Sequence, residues 1–162
     1  ILNPVGKIVF DRFIMKTPLF GGIIIKGTMA SFSRTLSTLL SSGIPLIDAL
    51  DICIETIDQS VMVADLKKVR KEVVAGKSIT EPLSKITYFP EMVTSMIRVG
   101  EQTGNLDHML NKISEVFESE VDELITQMTK LIEPFIIVVL GGMVATILVA
   151  MYLPIFMSAG GN

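Results

Sequence analysis

Pro134-Phe-Ile-Ile-Val-Val-Leu-Gly-Gly-Met-Val-Ala-Thr-Ile-Leu-Val-Ala-Met-Tyr-Leu-Pro154 is the stretch whose reading decides the fold. It covers 21 positions, Glu133 is the last charged residue, and the charge-free run continues to Asn162, 29 residues in all. As a helix rising 1.5 Å per residue, it spans about 31 Å, close to the ~30 Å hydrocarbon core of a bilayer. A helix at the edge of a soluble domain carries a polar face, and this one has none. The segment 133–156 is therefore expected to cross a membrane, with 157–162 as a short tail. Gly141, Gly142 and Ala145 fall near its middle. Gly141 and Ala145, four apart, share a face on which a second helix can approach closely. The bland alternative is that glycine is common in membrane helices. Tyr152 falls where an interfacial aromatic sits.

The rest of the chain reads as one small domain. Its 162 residues suffice for one core and one membrane segment. Apolar residues make up 49% and the mean hydropathy is +0.58, with the excess concentrated in the C-terminal run. A net charge of -3 argues against a non-specific nucleic-acid binder, which needs a concentrated basic surface. The single cysteine, Cys53, lies among Leu50, Ile54 and Ile57 and reads as a buried small hydrophobe. The chain opens on Ile1 without a signal pattern, which reads as a fragment or a processed chain. All 14 Lys and Arg precede the membrane run. Near it, Lys130 faces no cation beyond, a bias that favours a cytoplasmic bulk.

Residues 1–18 form an amphipathic piece in which Lys7, Arg12 and Lys16 outnumber Asp11. Such a juxtamembrane segment can lie on anionic headgroups or stand as a plain solvated helix. Between it and the membrane, 19–132 reads as a helical bundle. A first helix over 19–42 carries Met29, Phe32, Leu36, Leu39 and Leu40 at helical spacing and stops at Gly43. Pro45 starts a second, striped by Leu46, Ala49, Leu50, Cys53 and Ile57, with Asp48, Asp51 and Glu55 facing water. Ser60 caps a third, which ends before Gly76 and buries Val63, Leu66, Val69 and Val73. Lys67, Lys68, Arg70 and Lys71 cluster on it, either as a solvated face or as a docking site for an acidic partner. Ser78 and Glu81 fit a capping box for a short fourth helix. Phe89-Pro90 opens a fifth, with Met92, Val93, Met96 and Ile97 inside, and Gly100 and Gly104 bracket a turn. Asn105 caps a long sixth helix with the stripe Leu106, Leu110, Ile113, Phe117, Val121, Leu124, Met128 and Leu131. This helix either feeds straight into the membrane span or is interrupted at Pro134. The expected fold is all-α: a six-helix antiparallel bundle followed by a single C-terminal transmembrane helix.

Convergent polar chemistry is scarce. His108 is the only histidine, so a His-based metal site or triad would rest on one residue. Gly22 to Gly27 has the gap of a phosphate loop, but Thr28 follows where lysine is required. Glu115, Glu118, Glu120, Asp122 and Glu123 lack the glycine turn of a calcium loop and read as a solvated face. Glu101 and Asp107 flank the Gly104 turn and could share a cation; Glu101 could equally hold the turn or touch a partner. No cofactor and no enzymatic activity are expected.

The punctuation resembles that of the type II secretion system protein F family (GspF/PilC). The matching stretches are Phe32-Ser-Arg-Thr-Leu-Ser-Thr-Leu-Leu40, Ser42-Gly43-Ile44-Pro45-Leu46 with Ala49-Leu50, Phe89-Pro90, Val99-Gly100-Glu101-Gln102-Thr103-Gly104-Asn105-Leu106, Glu133-Pro134 and Pro154-Ile155. Members of that family are longer, with two copies of a six-helix cytoplasmic domain, and this chain would match the second copy and the last membrane helix. The resemblance implies a platform in the bacterial inner membrane, bulk cytoplasmic and C-terminus periplasmic. It would work without catalytic residues between a cytoplasmic hexameric assembly ATPase and pilins or pseudopilins, with other inner-membrane assembly components, and as a homo-oligomer. In this role the basic patch on the third helix would dock the ATPase. The alternative is an unrelated membrane-anchored helical adaptor that shares only the punctuation.

Overall fold

The computed structural model describes residues 20–161. The expected amphipathic segment 1–18 lies outside them. Among the described residues there are six helices and no strand: α1 (Phe20–Ser41), α2 (Leu46–Glu55), α3 (Ser60–Val74), α4 (Thr80–Ser84), α5 (Glu91–Thr103) and α6 (Leu106–Ala159). Consecutive helices pack on one another from α1 to α5. The chain divides into two compact units, Ile1–Asp122 and Glu123–Asn162.

Local chemistry sets the helix ends. Gly43 takes φ +87° after α1. Its N–H and that of Ile44 reach back to the carbonyls of Leu40 and Leu39, at 3.0 and 3.1 Å. These two bonds close a Schellman motif and use carbonyls that the helix end would otherwise leave unpaired. Pro45 sits one position earlier than expected, as the N-cap of α2, where its carbonyl accepts the Ala49 N–H at 2.9 Å. Gln59, not Ser60, is the N-cap of α3, and Ser60 is its first helical residue. Half of the expected capping box is present at α4: Ser78 Oγ accepts the Glu81 N–H at 3.4 Å.

The core of the first unit draws on every helix. Met29 and Leu36 (α1), Leu50 and Cys53 (α2), Leu66 and Val69 (α3), Leu83 (α4), Ile97 (α5) and Leu110, Ile113 and Phe117 (α6) are buried. Burying each large side chain contributes roughly 1.5–3 kcal/mol, which offsets the ordering of short helices that would be marginal alone. Two expected core residues are exposed. Met92 is 49% exposed because the inward face of α5 is Val93, Thr94, Ile97 and Gly100, one helical position further round. Leu131 is 64% exposed, since burial along α6 ends at Phe117 although the apolar stripe continues in sequence.

The second unit belongs to α6, which continues without a break through Pro134 and Pro154. It is the one helix among the described residues long and apolar enough to cross a membrane. None of its apolar window is buried; Phe135, Val138 and Phe156 are 69–75% exposed. A soluble core helix would be covered by protein, whereas apolar side chains open on every side, over a length that matches a bilayer, mark a candidate membrane span.

Candidate functional site

The motif Gly100-Glu101-x-x-Gly104 builds a junction between α4, α5 and α6. Gly104 ends α5 in the left-handed region at φ +72°, and the Asn105 N–H returns to the Gly100 carbonyl at 3.0 Å. Asn105 then accepts the Met109 N–H at 3.1 Å through its own carbonyl, the first bond of α6. Gly100 closes the turn through its carbonyl while its own backbone stays helical. It is a buried residue inside α5, and a Cβ there would stand 2.9 Å from Leu106 Cα and 3.2 Å from Met109 Cβ. Glycine at this position lets α5 and the start of α6 touch backbone to side chain.

Glu101 turns away from that junction, towards α4. Its Oε1 accepts the Ile79 N–H at 2.8 Å. Its Oε2 accepts the Thr80 hydroxyl at 2.5 Å and the Thr80 N–H at 3.4 Å. The first donors of α4, which its own backbone cannot satisfy, are thus met by a carboxylate from a different helix. Both Glu101 oxygens are engaged in this way. Asp107 enters the fold through its carbonyl, which accepts the Ser37 hydroxyl at 2.6 Å.

The basic cluster on α3 divides. Arg70 folds onto Asp51 of α2 in a two-pronged pair, with Nη2 2.8 Å from Oδ2 and Nε on Oδ1. This pair raises the Arg70 pKa, chiefly through the hydrogen bond and then through the charge of Asp51. Asp51 thus has a partner and does not simply face water. Lys67, Lys68 and Lys71 remain exposed; among the described residues Lys68 pairs with Asp65 at 3.5 Å and the other two have no ion pair. Beside them on α4 and its flanks, Lys77 and Lys85 share Glu72, at 3.0 and 3.5 Å, and reach Glu81 at 3.4 and 3.9 Å.

The acidic residues of α6 are largely spoken for. Glu118 takes both prongs of Arg34, at 2.7 and 2.8 Å, and the hydrogen bond with Arg34 lowers its pKa. Glu120 pairs with Lys26 at 2.7 Å, so both contacts tie α6 to α1. Among the described residues no group of three or more His, Cys, Asp or Glu side chains is placed to hold a metal ion. His108 is exposed in the first turn of α6. Cys53 is buried, and burial pushes its thiol pKa up to about 11. Gly141, Gly142 and Ala145 lie on the exposed surface of the membrane helix, where a Cβ on either glycine would meet open space.

These features define a helical domain with one candidate membrane helix, in which Glu101 caps a neighbouring helix, Arg34, Arg70 and Lys26 are held in ion pairs, and Lys67, Lys68 and Lys71 stay exposed. The chain belongs to the type II secretion system protein F family, whose profile matches residues 32–154. It is 43% identical over 158 residues to the type IV pilus assembly protein PilC of Myxococcus xanthus, covering 98% of this chain and 38% of the relative. It is 46% identical over 146 residues to the type IV pilus assembly protein TapC of Aeromonas hydrophila, covering 90% of this chain and 35% of the relative. The type II secretion system protein F of Pseudomonas aeruginosa is 35% identical over 143 residues, covering 88% of this chain and 35% of the relative. The chain thus spans less than two-fifths of the length of these relatives.

Proposed function

We propose that this chain is the C-terminal cytoplasmic domain and last membrane helix of a non-enzymatic inner-membrane platform in a pilus or secretion machine. In this reading 19–132 form the cytoplasmic bundle, 133–156 cross the membrane, and 157–162 emerge on the periplasmic side. The platform couples a cytoplasmic hexameric assembly ATPase to movement of pilins or pseudopilins, alongside other inner-membrane assembly components and further copies of itself.

The observation that carries the reading is the family match over 32–154, which takes in both the bundle and the membrane span. The names of the relatives, pilus assembly and type II secretion proteins, support the machine. The exposed Lys67, Lys68 and Lys71 support docking of an acidic ATPase surface, because a cluster of exposed cations steers and orients an anionic partner. Arg70 contributes to that face only through its pair with Asp51. Gly141, Gly142 and Ala145 support close approach of a pilin helix or of a second copy.

The test is photocrosslinking in a cell that is assembling pili or secreting, using the full-length protein with a photoreactive residue at Lys68 or at Ala145. Capture of the assembly ATPase at Lys68, and of a pilin-like helix or another copy at Ala145, is the expected result. Capture of neither would remove the protein from this role.

A further inference from the structure

We propose that the backbone carbonyl of Ala150, freed by Pro154, is a hydrogen-bond acceptor inside the membrane that takes a hydroxyl from a neighbouring transmembrane helix. This rests on the reading above of 133–156 as a membrane span.

α6 contains two prolines, Pro134 and Pro154, and stays helical through both. Proline has no N–H, so each removes the bond that an α-helix makes to the carbonyl four residues earlier. The carbonyls concerned are those of Lys130 and Ala150. They lie in opposite surroundings. Lys130 precedes Glu133, the last charge of the chain, and water can serve its carbonyl. Ala150 lies inside the charge-free run, about 6 Å short of Pro154 at 1.5 Å per residue. Beyond Pro154 the exposed surface stays apolar through Ile155, Phe156 and Met157. A carbonyl without a donor in hydrocarbon is strongly unfavourable, so it must be satisfied from elsewhere.

The helix itself has no donor to give. Its other N–H groups here are committed to the continuous ladder of α6. The Thr146 hydroxyl, one turn before Ala150, donates to the Gly142 carbonyl at 2.8 Å. Tyr152 leaves the helix about 200° round from Ala150, at 3.6 residues per turn, on the opposite side. Water would have to reach past Ile155, Phe156 and Met157. A neighbouring helix has an easier approach. Gly142, Thr146 and Ala150, four apart, share an exposed face with no side chain larger than threonine. A second helix can come near enough there for a serine or threonine hydroxyl, a donor of short reach. Hydroxyl side chains bridge membrane helices in this way. The partner that fits is therefore a transmembrane helix carrying a hydroxyl at the level of Ala150, near the far end of the span.

The test uses the full-length protein, carrying a fluorophore in the tail 157–162, in phosphatidylcholine vesicles. The probe is a labelled leucine-alanine transmembrane peptide with one serine at the level of Ala150, and its control has alanine in place of that serine. Energy transfer reads association. The wild type is expected to bind the serine peptide about threefold more tightly than the control, the size of one interhelical hydrogen bond. Pro154→Ala, which restores the missing N–H and favours the helix, is expected to abolish that preference. Equal binding of the two peptides by the wild type would overturn the proposal and leave the carbonyl to water. A preference that persists undiminished in Pro154→Ala would overturn it too, since the serine would then be bonded elsewhere. Hydrogen exchange of the amides of 138–150 in the same vesicles tests the span separately. Fast exchange throughout would bring down the membrane reading, whereas protected amides without a serine preference would bring down the acceptor alone.

Discussion

Glu101 accepts a 2.5 Å hydrogen bond from the hydroxyl of Thr80, a residue 21 positions earlier in the chain. The same carboxylate holds the Ile79 N–H at 2.8 Å. Hydrogen bonds to a charged acceptor are worth roughly 1.5–3 kcal/mol, and removing the acceptor strands buried donors. Glu101→Ala is expected to cost about 2–3 kcal/mol in urea unfolding of the detergent-solubilised chain. Glu101→Gln should cost about half that, since the amide keeps one acceptor oxygen. Equal stability of all three proteins would show that the cap contributes nothing.

The glycines of α1 and α5 should respond to alanine with opposite signs. At Gly100 the new Cβ would press to 2.9 Å against the Leu106 backbone, and overfilling of that kind typically costs about 1–3 kcal/mol. At Gly27, inside α1, a Cβ meets nothing within 4 Å. Alanine there should stabilise by up to about 1 kcal/mol through helix propensity alone. Thermal unfolding by circular dichroism distinguishes the two.

Phe117 and Phe135 lie on the same helix but in different surroundings, 1% and 69% exposed. Phe117→Ala should cost the first unit about 3–5 kcal/mol. Phe135→Ala should leave its urea midpoint unchanged and act only on partition into vesicles. A matching loss in both would mean that Phe135 is covered by protein rather than by lipid.

Acid should weaken the fold through two carboxylates. The hydrogen bond from Lys77 holds Glu72 below its ordinary 4.5, and that from Arg34 does the same for Glu118. A carboxyl with a depressed folded pKa contributes stability above the unfolded value, and loses it as pH falls through the folded one. The melting temperature is expected to decline below about pH 4.5, with a shallower decline in Arg34→Ala, where Glu118 has no partner. Identical profiles for the two proteins would argue against the pair.

Alkali should act through Cys53. Burial raises its thiol from 9.0 to about 11, so the unfolded chain releases this proton first. The corresponding stability is complete below pH 9 and is lost between there and pH 11. Cys53→Ala should flatten that part of the profile, and native Cys53 should resist alkylation at pH 8 until urea is added.

The helix ends were legible because their signals are local. Gly43 and Gly104 supply the left-handed residue that follows a helix, and Pro45 and Pro90 stand just before one. Each can be read within a few positions of the end it marks. The apolar stripe of α6 was legible in the same way, but periodicity says which side of a helix is apolar and not where its cover stops. Leu131 continues the stripe and is nevertheless exposed. The partners of Glu101 and Arg70 were out of reach for a different reason. Ile79 and Asp51 are 22 and 19 positions away, and only the packing of α4 and α2 brings them close. Sequence reading therefore found Glu101 as a marked residue without its role, and counted Arg70 among cations available to a partner although Asp51 already holds it. Gly100 and Gly104 do bracket a turn, but the close approach of Leu106 to Gly100 is not legible, because a glycine needed for close approach and one needed for a left-handed turn look alike in a sequence.

Within the membrane span, Thr146 gives its hydroxyl proton to the Gly142 carbonyl at 2.8 Å. The one side-chain donor in the middle of the apolar run is therefore used up by its own helix. At that depth the helix has no hydroxyl proton left to offer a neighbour, and Thr146 Oγ1 can only accept one. Association with another span at that depth then depends on how closely two surfaces fit, which puts the weight on Gly141 and Gly142, where nothing stands within 4 Å of a Cβ position.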